Sequence, residues 1–324
     1  VASGVAYVSA AGNFGEYGYE SDFNGVPAPN GLPGLAHNFA ISGTDIYQNI
    51  SLTNTETSNF TLVLQWDDGS PFGSTTTDMD IYLAKDDGSP LFGFNRDNTG
   101  GKAVEVLPFT VGEGGAQTNV LIVNATGTPN VRIKYIVFRG GYQFIQNEHA
   151  SPVPSTIVGQ ANAIGAITTG AVRYDKVPGN TGGITPEVMS FSSRGGTTVY
   201  NVGGFPTGEI REKPDVSGPN GVNTTVNLGG QNIEGDDYPN FFGTSAAAPH
   251  VAAVGALLIE AYDHFYTTET QPGILSPAAM KAILKESAAD MYTGGYDVYS
   301  GSGFVQADAA LLSLANPSPV IYDL

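Results

Sequence analysis

The string Gly243-Thr244-Ser245-Ala246-Ala247-Ala248-Pro249-His250 opens a run whose apolar positions Val251, Val254, Leu257 and Leu258 recur at helical spacing. A serine in the first turn of a helix lies beside N–H groups that lack internal acceptors. It also sits at the positive end of the helix dipole, and both features favour negative charge developing next to it. Gly243 permits close backbone approach, and the alanines leave room for a bond under attack. Acyl transfer with Ser245 as nucleophile fits these residues. A plain Thr or Ser N-cap on a buried helix fits them too. A serine hydroxyl near neutral pH also needs a base to take its proton. His250 lies five residues beyond Ser245, a helical spacing that turns it away. His264 falls in a polar stretch near the end of the same helix, while His37 and His149 read as surface or hinge residues.

The elements that must position these groups are legible in outline. Val5–Ala11 reads as a short buried strand stopping at a tight turn, Gly12-Asn13, where an asparagine tolerates left-handed geometry. Residues 14–36 read as glycine- and proline-rich loop. Alternating runs follow at Phe39–Ile41, Ile50–Leu52, Phe60–Trp66, Met79–Leu83, Ala103–Phe109, Val120–Val123 and Val131–Phe138, separated by turn dipeptides such as Asp68-Gly69 and Gly100-Gly101. Short strands at that spacing, with no helical period between them, describe an antiparallel β-sandwich of jelly-roll type. Buried strands return at Ala163–Val172 and Val188–Phe191. The helix after Ser245 reads as buried nearly all round, and Ser276-Pro277 starts a second helix. The expected organisation is an α/β domain in two parts, 1–37 and 149–324, interrupted by a β-sandwich over 38–148. Surface loops accept such insertions readily.

Composition narrows the function. Thirteen basic against 31 acidic residues in 324 give a net charge of -18. That balance argues against nucleic acid or anionic membrane as partners, since both require clustered Lys and Arg. The absence of cysteine excludes disulfides, thiol catalysis and thiolate-bound metal. No apolar run reads as long enough to span a bilayer. The chain opens on Val1 inside a strand-like run, and the expectation is a piece of a longer polypeptide with any signal peptide outside it.

The string GTSAAAPHVAA resembles the nucleophile motif of the subtilisin-like serine protease (subtilase) family, and four further segments resemble that family in the same order. They are VASGVAYVSAAGNFG at 1–15, SFSSRG at 190–195, KPDVSGP at 213–219 and GSGFVQADAA at 301–310. The resemblance implies a partial, mostly parallel sheet with flanking helices, and Ser-His-Asp acyl-enzyme chemistry on a protein or peptide substrate. It implies Ser245 as nucleophile and Asn13 as the side-chain donor of an oxyanion hole. It implies that Ala10, Ala11, Gly12, Gly243 and Thr244 line the substrate site. The family supplies its His and Asp upstream of the Ala-Gly-Asn strand, so the expectation is that both lie in a missing N-terminal part and that this chain alone is inactive. A secreted or cell-envelope bacterial location follows by the same resemblance.

Within the expected sandwich, Leu64–Gly88 resembles the small pre-peptidase C-terminal β-sandwich of secreted bacterial peptidases. Asp78 and Asp80 share a strand face. With Asp67 and Asp68 they are candidate oxygen ligands for a structural calcium ion, or else a solvated acidic sheet edge. No cofactor is required. Trp66, Tyr82 and Phe92 read as core, with a peptide or glycan surface as the alternative. A different class of function is a non-catalytic binding protein that uses a degenerate subtilase scaffold to present the sandwich to a ligand. Another acyl-transfer chemistry is disfavoured by the lack of a Gly-x-Ser-x-Gly elbow.

Overall fold

The computed structural model describes residues 3–29, 31–71, 73–85, 87–127, 130–139, 144–151, 155–178, 186–199, 208–227, 231–268, 270, 273–292 and 294–315. The architecture is mixed α/β with a parallel sheet, in two compact units. One comprises Val1–Gly15, Ile157–Thr197 and Arg211–Leu324, the other Glu16–Thr156 and Thr198–Ile210. In chain order the strands begin with β1 (Tyr7–Ala10), β2 (Gly18–Asp22), β3 (Gly25–Pro27), β4 (Leu35–His37), β5 (Gln48–Thr53) and β6 (Ser58–Asp67). Next come β7 (Asp78–Ala84), β8 (Pro90–Phe94), β9 (Val104–Val111), β10 (Ala116–Thr126), β11 (Arg132–Arg139) and β12 (Phe144–Asn147). The chain continues with β13 (Ala166–Arg173), β14 (Thr198–Val199), β15 (Glu209–Ile210), β16 (Val216–Asn220), β17 (Val222–Asn223) and β18 (Asn240–Phe241). Three helices follow, α1 (Thr244–Tyr266), α2 (Pro277–Glu286) and α3 (Ala307–Leu314).

In the first unit β1, β13 and β16 form a parallel sheet, with Tyr7 opposite Ala166 and Thr169 opposite Val216. Helix α1 packs on all three strands. Ile167, Val216, Val251, Leu258, Met280 and Leu284 make the core between sheet and helices. Gly255 lets Met280 in, since a Cβ there would lie 3.0 Å from its sulfur. Ser276 caps α2 by accepting from the Ala279 N–H, with Pro277 at the first position, as the sequence suggested. Under the sheet, buried Asp215 takes Lys213 Nζ at 2.7 Å, Lys281 Nζ at 2.7 Å and the Thr168 N–H at 2.7 Å. Burial lowers the Lys213 ammonium to about 8 against the pull of Asp215. Breaking such a pair strands a buried charge, a loss of about 3–5 kcal/mol.

Three readings need correction here. Helix α1 is not buried all round: Ala252, Ala253, Ala256, Leu257 and Ile259 are exposed while Val251, Gly255 and Leu258 are buried. Its apolar residues cover more of its circumference than the sheet can, so periodicity alone overstated its burial. The same composition makes α1, at 23 residues, long and apolar enough to cross a membrane by those criteria. The expectation that no run is long enough to span a bilayer is corrected to that extent. Its buried face packs on the sheet as the core helix of a folded unit does. Val188–Phe191 is not a strand either, because only Val188 bridges, to Val172.

The second unit holds two antiparallel sheets, one in the order β2-β11-β6-β9 and one of seven strands built on β10. On β6 burial alternates strictly, with Phe60, Leu62, Leu64 and Trp66 inward. They share one core with Ile50, Met79, Ile81, Leu83, Val120 and Ile122 from the other sheet and Leu107, Ile133 and Tyr135 from their own. Trp66 and Tyr82 are buried, whereas Phe92 is exposed.

Together with Thr198–Ile210 this compact unit covers Glu16–Thr156, wider at both ends than the 38–148 expected for the sandwich. Within 14–36, expected as loop, β2 pairs β11, and β3 pairs β4, which pairs β10. Strand β2, Gly-Tyr-Glu-Ser-Asp, lacks the β-branched residues that flag a strand. Charge holds it instead: buried Glu20 lies 2.9 Å from Arg132 Nε and 3.3 Å from Lys134 Nζ, both on β11. Conversely Phe39–Ile41 is irregular. The Asn38 side chain accepts from the Ala40 and Asp45 N–H groups and donates to the Gly43 carbonyl, folding the segment into a loop.

Candidate active site

The first turn of α1 begins at Gly243, whose φ of 121° lies in a region that side chains rarely adopt. Gly243 is the cap residue, so neither Thr244 nor Ser245 caps the helix. Ser245 is exposed, while Thr244, Ala246 and Ala247 beside it are buried. The serine thus stands on a fixed first turn with its side chain free of the core. The Gly243 N–H reaches Asn220 Oδ1 at 3.3 Å, which ties the turn to the end of β16.

Asn13 arrives from the turn after β1. Its Oδ1 accepts from the Thr244 N–H at 3.0 Å and from the Thr244 hydroxyl at 2.9 Å. The Gly12 N–H donates to the same hydroxyl oxygen at 3.1 Å. With the amide oxygen bonded to Thr244, Nδ2 is the nearer of the two amide atoms to Gly243. A Cβ built on Gly243 would lie 3.2 Å from Asn13 Nδ2, 3.7 Å from Asn13 Oδ1 and 3.7 Å from Ser245 N. The Asn13 amide, nitrogen nearest, and the Ser245 nitrogen therefore border the space that the absence of a side chain at 243 keeps open. Ser193 braces the turn from the far side, its N–H donating to the Gly12 carbonyl at 2.9 Å and its hydroxyl accepting from the Phe14 N–H at 3.1 Å. Gly12, at φ 105°, has no room for a Cβ, which would lie 2.9 Å from Ser193 Oγ. Ala11 is buried and bonded to the Thr169 carbonyl, and half-buried Ala10 ends β1.

The arrangement brings Gly12, Asn13, Gly243, Thr244 and Ser245 together. Two supports, Ser193 and Asn220, were not singled out as site residues. Ser193 lies inside the 190–195 segment, and Asn220 directly follows the 213–219 segment.

The four histidines sit in different surroundings. His250 Nδ1 is 2.8 Å from the Ala246 carbonyl of its own helix, and the His264 ring lies edge-on to Phe265. His37 and His149 belong to the other unit. His37 is no surface residue: it is fully buried, and burial lowers it to about 4. Its Nδ1 accepts from the Asn24 N–H at 3.0 Å and its Nε2 meets the Tyr19 hydroxyl at 3.1 Å, an arrangement that suits the neutral ring.

The four aspartates expected as calcium ligands divide. Burial pushes the Asp68 carboxyl up, but bonds from Thr75, Ser70 and Thr76 outweigh it and hold the group well below the usual range. Those contacts fasten the 70–77 loop. Asp67 accepts from the Gly69 N–H and Asp78 from the Asn98 N–H. Asp80 is buried against the Tyr82 hydroxyl at 3.0 Å, and burial raises it to about 6. Asp67 and Asp68 thus fasten their own loop through accepted hydrogen bonds.

The sequence profile of the subtilase family matches residues 1–304. An extracellular protease of Xanthomonas campestris pv. campestris is 35% identical over 103 residues, covering 32% of this chain and 16% of that protein. The subtilisin-like protease SBT2.1 of Arabidopsis thaliana is 29% identical over 161 residues, 44% of this chain and 19% of that protein. The chain thus matches 19% or less of the length of these curated relatives. Among solved structures, fervidolysin from Fervidobacterium pennivorans, a keratinolytic enzyme related to subtilisin, is similar at 26% identity. That match covers 50% of this chain and 20% of the other, with a TM-score of 0.31.

Proposed function

This chain belongs to the subtilase family, and from that premise we propose that it carries the nucleophile half of a serine endopeptidase site. Ser245 Oγ attacks the carbonyl carbon of a peptide bond. The developing oxyanion takes hydrogen bonds from the Ser245 N–H and from Asn13 Nδ2, which Thr244 orients. The serine proton passes to an imidazole base and from it to the leaving amine, and water then releases the acyl group. That base, and the aspartate that orients it, come from an upstream part of the same polypeptide. Gly12, Ala10 and Ala11 line the substrate channel beside Gly243 and Thr244. The 16–156 segment is a β-sandwich inserted in the peptidase domain, and the intact protein is secreted, as its extracellular relative's name suggests.

The observation that carries this reading is the pair of donors around the side-chain-free space at Gly243. A fluorophosphonate probe tests it. The chain alone should label at Ser245 very slowly, and a form extended upstream should label rapidly. In the extended form Asn13→Ala should lower turnover about 10²–10³-fold with little change in KM, a magnitude known from subtilisin itself. Rapid labelling of the chain alone would mean that a base lies within it. An extended form that stays unlabelled would instead favour an inactive scaffold that presents the sandwich to a ligand.

A further inference from the structure

Far from the serine in sequence, Asp45, Glu148 and His149 bring one ligand atom each within 4.8 Å of one another. We propose that these three side chains bind a first-row transition-metal dication, zinc being the type ion.

Each ligand is held by the two-sheet unit. Asp45 closes the loop between β4 and β5, its N–H bonded to Asn38 Oδ1 at 2.7 Å and its carbonyl to the Phe39 N–H at 2.7 Å. Its Oδ1 accepts from the Tyr47 N–H, which leaves Oδ2 to face His149. Glu148 and His149 follow β12. The fully buried Gln48 clamps His149 at both backbone groups, accepting from its N–H at 2.7 Å and donating to its carbonyl at 2.9 Å. The imidazole lies nearly parallel to the Phe39 ring, at 11° and 6.4 Å, which fixes its plane. Glu148 uses Oε2 to accept from the Asn49 N–H at 3.3 Å, leaving Oε1 available.

The donor set selects the ion. One imidazole nitrogen and two carboxylate oxygens suit zinc and its neighbours. Calcium takes roughly 6–8 oxygens, and magnesium prefers octahedral oxygen and water. Tetrahedral ligands at about 2.0–2.2 Å from zinc stand roughly 3.3–3.6 Å apart. His149 Nε2 and Asp45 Oδ2 are already 3.0 Å apart, so a few tenths of an ångström bring that pair to ligand spacing, and a Glu148 carboxylate oxygen closes the set from within 4.8 Å. The two carboxylates balance the charge of a dication, whereas a single imidazolium would offset only one of them. Glu148 is exposed, leaving a path from solvent and a fourth position for water. Occupied, the site staples the 38–47 loop to the chain leaving β12, and so stabilises the unit thermally.

Zinc chloride titrated into the whole EDTA-treated chain, followed by calorimetry and thermal melts, tests the site. One zinc per chain and a raised melting temperature are expected, with no comparable shift from calcium at equal concentration. His149→Ala should weaken that binding at least about tenfold, the lower end of what even an outer-shell partner contributes. Glu148→Gln, at an exposed position, decides the matter if His149→Ala fails to fold. Zinc affinity unchanged in the folded variants, equal stabilisation by calcium, or no zinc binding at all overturns the proposal.

Discussion

The Thr244 hydroxyl receives the Gly12 N–H and donates to Asn13 Oδ1, while the neighbouring backbone N–H bonds the same oxygen. The amide is thereby held with its nitrogen nearer than its oxygen to the space at Gly243, and one side chain sets its register. Ser245 and Asn13 were legible because each sits in a contiguous motif. The bonds from Ser193 and Asn220 join segments far apart in the chain, and such contacts leave no local pattern. His37 shows the same limit, since nothing around Leu35–His37 in the sequence announces a buried imidazole. Its consequence is a pH dependence whose sign is fixed. The folded state holds His37 near 4 against an ordinary 6.5, so below pH 6.5 the unfolded chain binds the extra proton and stability falls. The loss amounts to about 3 kcal/mol by pH 4. Asp80, raised to about 6 from 3.8, works in the opposite direction over much of the same range. The comparison with His37→Gln therefore isolates the imidazole. Urea melts from pH 7 to 4, read by the fluorescence of Trp66, should show a shallower decline in the variant; parallel curves would mean that His37 is not the titrating group.

Helix α1 shows what periodicity can and cannot specify. Its existence, its start after Gly243 and the Ser276-Pro277 start of α2 followed from local chemistry. Which of its apolar residues meet the sheet did not, because alanine and leucine occur on both faces. Leu257 and Leu258 are adjacent and chemically identical, yet Leu257 is 46% exposed and Leu258 fully buried. Leu258→Ala should therefore cost about 2–5 kcal/mol, and Leu257→Ala within about 0.5 kcal/mol. Denaturant melts followed by helical circular dichroism measure both, and equal losses would mean that the exposed face of α1 is covered in solution. Strand β2 was invisible for the converse reason. Its stability comes from Glu20 meeting Arg132 and Lys134 on a strand more than 100 residues away, not from its own propensity.

At the scale of the whole chain the boundary between units is the point that the residues predict least and the pairings define best. Every strand pairing in the two antiparallel sheets joins residues between 18 and 147. Strands β14 and β15, grouped with the same unit, pair only with each other. The segment's two ends also meet, since a Cβ on Gly18 would lie 3.2 Å from Thr156 Cγ2. Adjacent ends are what a segment needs to enter and leave a host through one loop without disturbing either partner. At roughly 140 residues with one continuous core, the segment is of ordinary domain size. Residues 16–156 expressed alone should give a β-type circular dichroism spectrum, shielded Trp66 emission and a single cooperative urea transition. A segment cut at 38–148 should not, because it discards β2, with Glu20 and Tyr19, and leaves one edge of β11 unpaired. If the shorter piece folds as well as the longer, then β2 to β4 belong to the host and the boundary read from composition was the better one.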